Sequence, residues 1–441
     1  MNSSLHEKFL RDQLYLLSFS GGDRPGLTST LTQILAEHEA QLLDVGQAVV
    51  HETLALGMLI RLPSPNAKEP KPHTANALEL ALRNSGEAMG LRVSFTPITA
   101  EAFANWAQSQ SKDRFVVTLL GREITARQLF RASGMVAEHG LNIDRIERLS
   151  GRLSLAAPSE DSYACIELQI SSGGAEIDPR AQEALAVRMR SALMLLAQEL
   201  TLDIAFQRES VFRRNRRLFA FDMDSTLIAG EVIDELAKLA GVGEQVSKIT
   251  AAAMRGELDF QQSFRARVGL LRGLPVERAY SLIDSIPLVQ GAERLISTLR
   301  RLGYKTAILS GGFNFFAHHL QSRLGIDYVF SNELDVADGV VTGQVNSQIV
   351  DAQRKAELLR QIAATENISL GQVVAVGDGA NDLPMLNLAG MGIAFHAKPV
   401  VRERAANSLS YLGLDSLLYL IGIRDRDLLA LLAEPEARKH S

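Results

Sequence analysis

Apolar and polar positions fall into two similar blocks and then a longer, different one. Residues 14–19 (Leu-Tyr-Leu-Leu-Ser-Phe) read as a strand and 20–26 as a turn. Leu27, Leu31, Ile34 and Leu35 predict a helix over 27–39. Two strands follow over 42–50 and 53–62, joined by a tight turn at His51-Glu52, then a polar, proline-rich loop over 63–72. A helix over about 74–89 and a strand over 91–97 complete the order β-α-β-β-α-β. The order repeats: strand 114–120, helix 125–139, strands 141–149 and 163–170, helix 179–200, strand 202–206. Ala36-Glu-His and Ala137-Glu-His close the first helix of each block, and each precedes a strand that starts with leucine. This is a duplication of two domain-sized units.

Beyond about residue 215 the pattern changes. Three apolar runs end abruptly in acidic or small residues: Leu218-Phe-Ala-Phe before Asp222-Met-Asp224-Ser-Thr, Tyr304 to Leu309 before Ser310-Gly-Gly, and Gln372 to Val376 before Gly377-Asp378-Gly-Ala-Asn381-Asp382. Such runs read as buried strands, and helical spacing between them predicts a parallel, doubly wound sheet with its ligands at the strand ends. Val232, Leu236, Leu239, Ala240, Ile249 and Met254 recur at helical spacing directly after the first run. A helical insert over about 231–285 is therefore expected to cover its end.

Bulk properties narrow the classes. The chain has 441 residues, 46% hydrophobic and 22% charged, an ordinary globular composition. A net charge of −5 argues against nucleic acid as a partner. The single cysteine, Cys165, excludes an intrachain disulfide framework and reads as a small core residue. No apolar signal core opens the sequence, and no uncharged run approaches the roughly 18 residues of a membrane helix, so a cytoplasmic setting is expected. The basic run from Gln207 to Arg217 reads as a solvated linker. His318-His319 read as helix-surface residues rather than a metal site.

The strand-end residues suit phosphoryl transfer. Asp222, Asp224 and Asp378 supply the oxygen ligands that Mg²⁺ takes. Asp222, at the strand end, is the better nucleophile, able to form an aspartyl-phosphate. Asp224 is placed to protonate the leaving oxygen and later deprotonate water. Ser310, the Gly311 N–H and Lys355 are candidates to hold the phosphate oxygens, Lys355 also offsetting the negative charge.

These motifs resemble the haloacid dehalogenase superfamily, and within it the phosphoserine phosphatases. The resemblance covers about 215–425 and rests on Asp222-Met-Asp-Ser-Thr, Ser310-Gly-Gly, Lys355 and Gly377-Asp-Gly-Ala-Asn-Asp382, in that order. It implies catalytic roles for Asp222, Asp224 and Lys355, metal ligation by Asp222, Asp224 and Asp378, and substrate contacts from Glu231, Arg267, Ser310, Gly311, Lys355 and Asn381. Glu231 would meet an ammonium and Arg267 would grip a carboxylate with two parallel bonds, with Phe260 and Met254 keeping the pocket dry. The implied reaction is Mg²⁺-dependent hydrolysis of O-phospho-L-serine, the last step of serine synthesis. The alternatives are a phosphatase for another small phosphomonoester and a catalytically silent amino-acid sensor. The duplicated blocks resemble ACT domains, over 12–100 and 112–207. That resemblance implies an amino-acid effector near Gly22, Asp23 and Gly26 and a homodimer. The second block has Gly121-Arg-Glu-Ile-Thr125 at the equivalent turn and is expected to be the weaker ligand module.

Overall fold

In the computed structural model, residues 13–63, 75–109, 114–151, 162–172, 179–345 and 347–433 are described. Most of the proline-rich loop expected over 63–72 and the side chain of Met254 lie outside them. The chain divides into two compact units, the first ending at residue 111 and the second beginning at 112.

In the first unit, β1 (Gln13–Gly22), β2 (Gln41–Val50), β3 (Thr53–Leu62) and β4 (Leu91–Ile98) form an antiparallel sheet in the order β2-β3-β1-β4. Leu17, Phe19, Leu56, Met58 and Ile60 bury one sheet face against Leu27, Leu31 and Leu35 of the helix Leu27–Glu37 and Leu78 and Leu82 of the helix Ala75–Ala88. β1 runs three residues further than its apolar pattern predicts. Gly21 pairs with both Leu54 and Leu91, and a Cβ there would lie 2.6 Å from the Gly90 carbonyl oxygen, so glycine permits this close strand packing. Gly26 starts the helix at φ 93°, a conformation that favours glycine. The helix Ala100–Ser109, absent from the sequence reading, follows β4.

The second unit opens with the repeat of this plan. β5 (Arg114–Gly121), β6 (Leu141–Arg148), β7 (Ala164–Ser172) and β8 (Asp203–Arg208) pair antiparallel in the order β6-β7-β5-β8. Thr125 caps the helix Ala126–Glu138 by accepting from the Gln128 N–H, while Gln128 reaches back to Thr125. Cys165 is buried, as its neighbours imply.

The remaining strands form a six-stranded parallel sheet: β9 (Leu218–Phe221), β10 (Lys305–Phe313), β11 (Tyr328–Asn332), β14 (Val373–Gly377), β15 (Met391–Phe395) and β16 (Asn407–Leu409), in the order β11-β10-β9-β14-β15-β16. A small hairpin, β12 (Val336–Ala337) with β13 (Val340–Val341), lies between β11 and β14 in the chain. β9 is central, with Ala220 opposite Ala307 and Ala375, and all four residues are buried. Burial on both faces explains its uninterrupted apolar run. The strand order reverses direction at β9, so the site at its end is a topological switch point.

After β9 the chain turns tightly. Leu227 and Ile228 both donate to the Met223 carbonyl, and Ser225 takes φ 56°. The insert then rises through the helices Val232–Leu239, Gly243–Met254, Phe260–Leu270 and Val276–Tyr280, and returns alongside its own exit. Ala229 donates to Pro287 O at 2.9 Å and Val289 to Leu227 O at 3.0 Å, so two crossing segments hold the cap.

The run from Gln207 to Arg217 is not a solvated linker. Arg213 is fully buried and donates to the buried Glu167 of β7; Gln207 donates to Leu420 O at 3.0 Å, and Arg216 to Gly371 O. A charge buried this deeply needs a paired opposite charge, and Glu167 supplies it. Asp203 accepts from the Ser410 and Tyr411 N–H groups at 2.6 and 3.1 Å, and the Tyr163 hydroxyl donates to Asp415 at 2.9 Å. The second block is thus packed into the parallel-sheet domain through polar groups as well as a shared apolar core.

Candidate active site

β9 delivers Asp222 with its backbone N–H still in the sheet ladder, bonded to Val376 O at 2.9 Å. Asp222 Oδ1 accepts from its neighbour's N–H (Met223, 2.7 Å) and lies 2.8 Å from Lys355 Nζ. Two donors on one oxygen fix the plane of the carboxylate. Lys355 comes from the helix Ala352–Thr365, whose first turn is capped by Asp351 accepting from the Arg354 N–H. Its ammonium also bonds Asp382 Oδ1 at 2.7 Å, and Asp382 Oδ2 accepts from the Gly379 N–H at 2.9 Å. Asp222, Lys355 and Asp382 are all buried. Gly377 has to be glycine here, because a Cβ would lie 2.4 Å from Asp382 Oδ2.

Asp224 leaves the turn in a different direction. Its Oδ1 accepts from the Val232 N–H at 3.1 Å, tying it to the first turn of the cap. A Cβ at Gly312 would sit 2.6 Å from its Oδ2, which gives the second glycine of Ser-Gly-Gly its packing reason. Ser310 is fully buried and accepts from the Gly312 N–H at 2.9 Å. Asn332, at the end of β11, donates to Gly311 O at 2.7 Å and accepts from the Val350 N–H at 2.8 Å, so it holds the Gly311 turn in place.

A cleft of about 640 Å³ joins these residues to the cap. Asp222, Asp224, Gly311, Asp378 and Asn381 line it from the sheet, and Glu231, Phe260 and Arg267 from the cap. Phe260 stacks on Phe264 and closes on Gly311, where a Cβ would meet its ring at 2.9 Å. Arg267 Nε is buried with no hydrogen-bond partner among the described residues. The Ser225 hydroxyl reaches Glu231 at 3.4 Å, and the Thr226 hydroxyl reaches Asp378 at 3.5 Å. A larger hollow of about 800 Å³ lies elsewhere, beside Tyr163 and Arg294. There Arg294 and Asp415 already pair at 3.0 Å, and its acids form no metal-binding group among the described residues.

The electrostatics explain why a cation suits this cleft. Burial, with Asp222, Asp382 and Glu231 adding to it, pushes Asp378 up to about 8. Burial and the Asp222 charge push Asp382 up to about 7 despite Lys355. Asp224 is raised well above the carboxylate range by burial and by Glu231 and Asp222. Burial raises Glu231 and lowers Arg267. Burial works against the Lys355 ammonium, but Asp222 and Asp382 outweigh it and raise its pKa. Negative charge thus exceeds what Lys355 and Arg267 neutralise.

Among the described residues, Asp222, Asp378 and Asp382 each offer an oxygen to a group spanning no more than 4.8 Å. An all-oxygen donor set fits a hard divalent cation. The membership differs by one from the sequence expectation. The Asp224 carboxylate is not in this group; its Oδ1 accepts from the Val232 N–H instead. Asp382 joins it instead, with both oxygens already accepting. Two contributors, Asn332 and Lys398, escaped the sequence reading, and the partner of Asp382 was not visible in it. Asp382 was visible as the last acid of its motif, but its bond to Lys355 spans 27 residues. Asn332 ends an apolar run, Tyr328-Val-Phe, in the way the recognised strand ends do. Lys398, which lines the cleft, follows the apolar run of β15. His318 and His319 lie on the helix Asn314–Leu324 and join no metal-binding group among the described residues.

Residues 216–390 match the haloacid dehalogenase-like hydrolase family, and residues 13–96 and 114–207 each match an ACT domain family. The chain is 38% identical to a phosphoserine phosphatase of Streptomyces coelicolor over 410 residues, 92% of each chain. It is also 38% identical to a phosphoserine phosphatase of Mycobacterium tuberculosis, covering 92% of this chain and 93% of that one. A crystal structure of a haloacid dehalogenase family hydrolase from Salmonella enterica serovar Typhi superposes with a TM-score of 0.57 at 32% identity, over 70% of this chain and 99% of that one.

Proposed function

Because this chain belongs to the phosphoserine phosphatase family, with two ACT domains ahead of a haloacid dehalogenase-like hydrolase domain, we propose that it hydrolyses O-phospho-L-serine to L-serine and phosphate. One observation carries the reading: the buried Asp222–Lys355–Asp382 cluster opens into the same cleft as Glu231 and the partnerless Nε of Arg267. Phosphate, ammonium and carboxylate each find a matching group there.

Asp222 attacks phosphorus through a carboxylate oxygen, and the bond from phosphorus to the serine oxygen breaks. Burial and its acidic neighbours favour the protonated form of Asp224, which gives that proton to the departing serine oxygen. Asp224 then takes a proton from water as the water oxygen attacks the aspartyl-phosphate, which releases phosphate and restores Asp222. Ser310, the Gly311 N–H, Lys355 and Asn381 hold and orient the phosphate oxygens. Asp222 and Asp378 would hold a divalent cation, proposed as Mg²⁺, whose charge would offset that of the carboxylates and the phosphate. Asp382 positions Lys355.

The same proposal takes this reaction as the last step of serine synthesis, in the cytoplasm. No helix among the described residues is long and apolar enough to cross a membrane. The domain layout is two regulatory modules over 12–100 and 112–207, then a catalytic domain over 215–425 with its cap over about 231–285. A homodimer formed through the first module is supported by Leu16, Leu42 and Val45, which are exposed on its sheet. An amino-acid effector near Gly22, Asp23 and Gly26 is part of the reading, supported by the helix start that follows Gly26.

Phosphate release across a panel of small phosphomonoesters, with and without Mg²⁺, tests the activity. Phosphoserine should be the preferred substrate, and chelation should abolish turnover. Arg267→Ala should lose far more activity on phosphoserine than on an aryl phosphate; equal losses would remove the amino-acid assignment. No turnover of any ester with Mg²⁺ present would favour the silent sensor.

A further inference from the structure

A smaller cavity, of about 230 Å³, lies between the second ACT domain and the parallel-sheet domain. One wall is the helix Pro179–Leu200, which contributes Arg190, and the other is the helix Pro399–Arg404, which contributes Arg402 and Arg404. Ile204 and Phe206 of β8 form an apolar side. Glu403 is the lone lining carboxylate against three guanidinium groups.

The protein does little to satisfy these arginines. The Nε atoms of Arg190 and Arg402 are both buried with no hydrogen-bond partner among the described residues. Arg190 Nη1 is 3.7 Å from an exposed Glu183, and Arg402 Nη1 is 3.5 Å from the Ser410 hydroxyl. Both contacts are at or beyond the limit of a useful bond. The Arg190 side chain is 38% exposed, so water reaches it, but the two buried Nε donors lack an acceptor, which is costly unless a ligand supplies oxygen atoms. Arginine matches tetrahedral oxyanions through paired N–H donors. The space is several times the ~30 Å³ share of one water molecule.

The placement gives occupancy a consequence. Val400 and Val401 of the helix Pro399–Arg404, with Lys398 just before it, line the catalytic cleft, while Arg402 and Arg404 of the same helix line this cavity. We propose that the cavity is a binding site for a small tetrahedral oxyanion such as inorganic phosphate, and that its occupancy is transmitted to the cleft through this one short helix. The site is separate from the cleft and does not depend on the reaction assigned to it.

Calorimetric titration of the full chain with inorganic phosphate tests this. The cavity accounts for a binding event that Arg190→Gln and Arg402→Gln each weaken roughly tenfold or more and that Asp222→Asn leaves intact. An event lost in Asp222→Asn and kept in both arginine variants belongs to the cleft and overturns the proposal. Arg404→Gln, at the exposed rim, guards against misfolding: it should weaken the same event with an unchanged melting temperature. Identical isotherms in all three arginine variants would overturn the site. Acetate binding as tightly as phosphate would overturn the tetrahedral assignment.

Discussion

The two ACT domains share one topology but treat the outer face of their sheets in opposite ways. In the first, β1 alternates: Leu17 and Phe19 are buried, while Leu16, Ser18 and Ser20 on the other face are exposed. In the second, Phe115, Val117 and Leu119 face their own helices, and Val116, Thr118 and Leu120 are buried as well. There Leu120, Cys165 and Ala205 share a core with Phe219 and Phe221 of the catalytic sheet. A duplicated fold has therefore been divided in use. One copy keeps a one-sided sheet, and the other is built into the enzyme. Buried polar groups mark the built-in copy, since Arg213–Glu167 and Asp203 have no counterpart among the described residues of the first unit.

The largest effect expected to separate the two copies is at Arg213. Arg213→Ala would strand the buried Glu167 charge and cost about 3–5 kcal/mol in a urea melt. Arg83→Ala, which removes an exposed pair with Glu79 in the first copy, should cost less than about 1 kcal/mol. Similar losses would erase the distinction. Next is Asp203, which burial pushes up to about 6 against the backbone N–H groups of Ser410 and Tyr411. A raised carboxyl keeps its proton in the folded state after the unfolded chain has lost it. Its contribution is therefore fully present below about 3.8 and lost as pH rises through about 6, on the order of 3 kcal/mol in all. Asp203→Asn should remove that slope from stability measured between pH 4 and pH 7. An unchanged slope would place the proton elsewhere. Smallest are the helix starts. Gly26→Ala strains a left-handed residue in the first copy, and Thr125→Ala removes a cap in the second; each should cost about 1 kcal/mol by thermal melting.

Much of this division could be read in the sequence. Leu-Tyr-Leu-Leu-Ser-Phe-Ser alternates towards its end, whereas Phe-Val-Val-Thr-Leu-Leu does not, and that difference is one-sided against two-sided burial. The apolar runs that stop in acids were equally legible as strands of the parallel sheet, and their ends line one cleft. The long-range polar pairing was not legible. Glu167 occupies a polar position in an alternating strand and looks solvated until Arg213 reaches it from 46 residues away. The basic run around Arg213 misled for the same reason. Spacing alone could not show which way Asp224 and Asp382 turn, since their partners, the Val232 N–H and Lys355, lie 8 and 27 residues away.

In the proposed mechanism Asp222 is the group phosphorylated during turnover. Rapid acid quench after mixing with phosphoserine and Mg²⁺, followed by peptide mass spectrometry, measures this directly. One phosphoryl group is expected on the peptide carrying Asp222, and neither adduct nor turnover in Asp222→Asn. Phosphorylation of a different residue, or full turnover by Asp222→Asn, would contradict it.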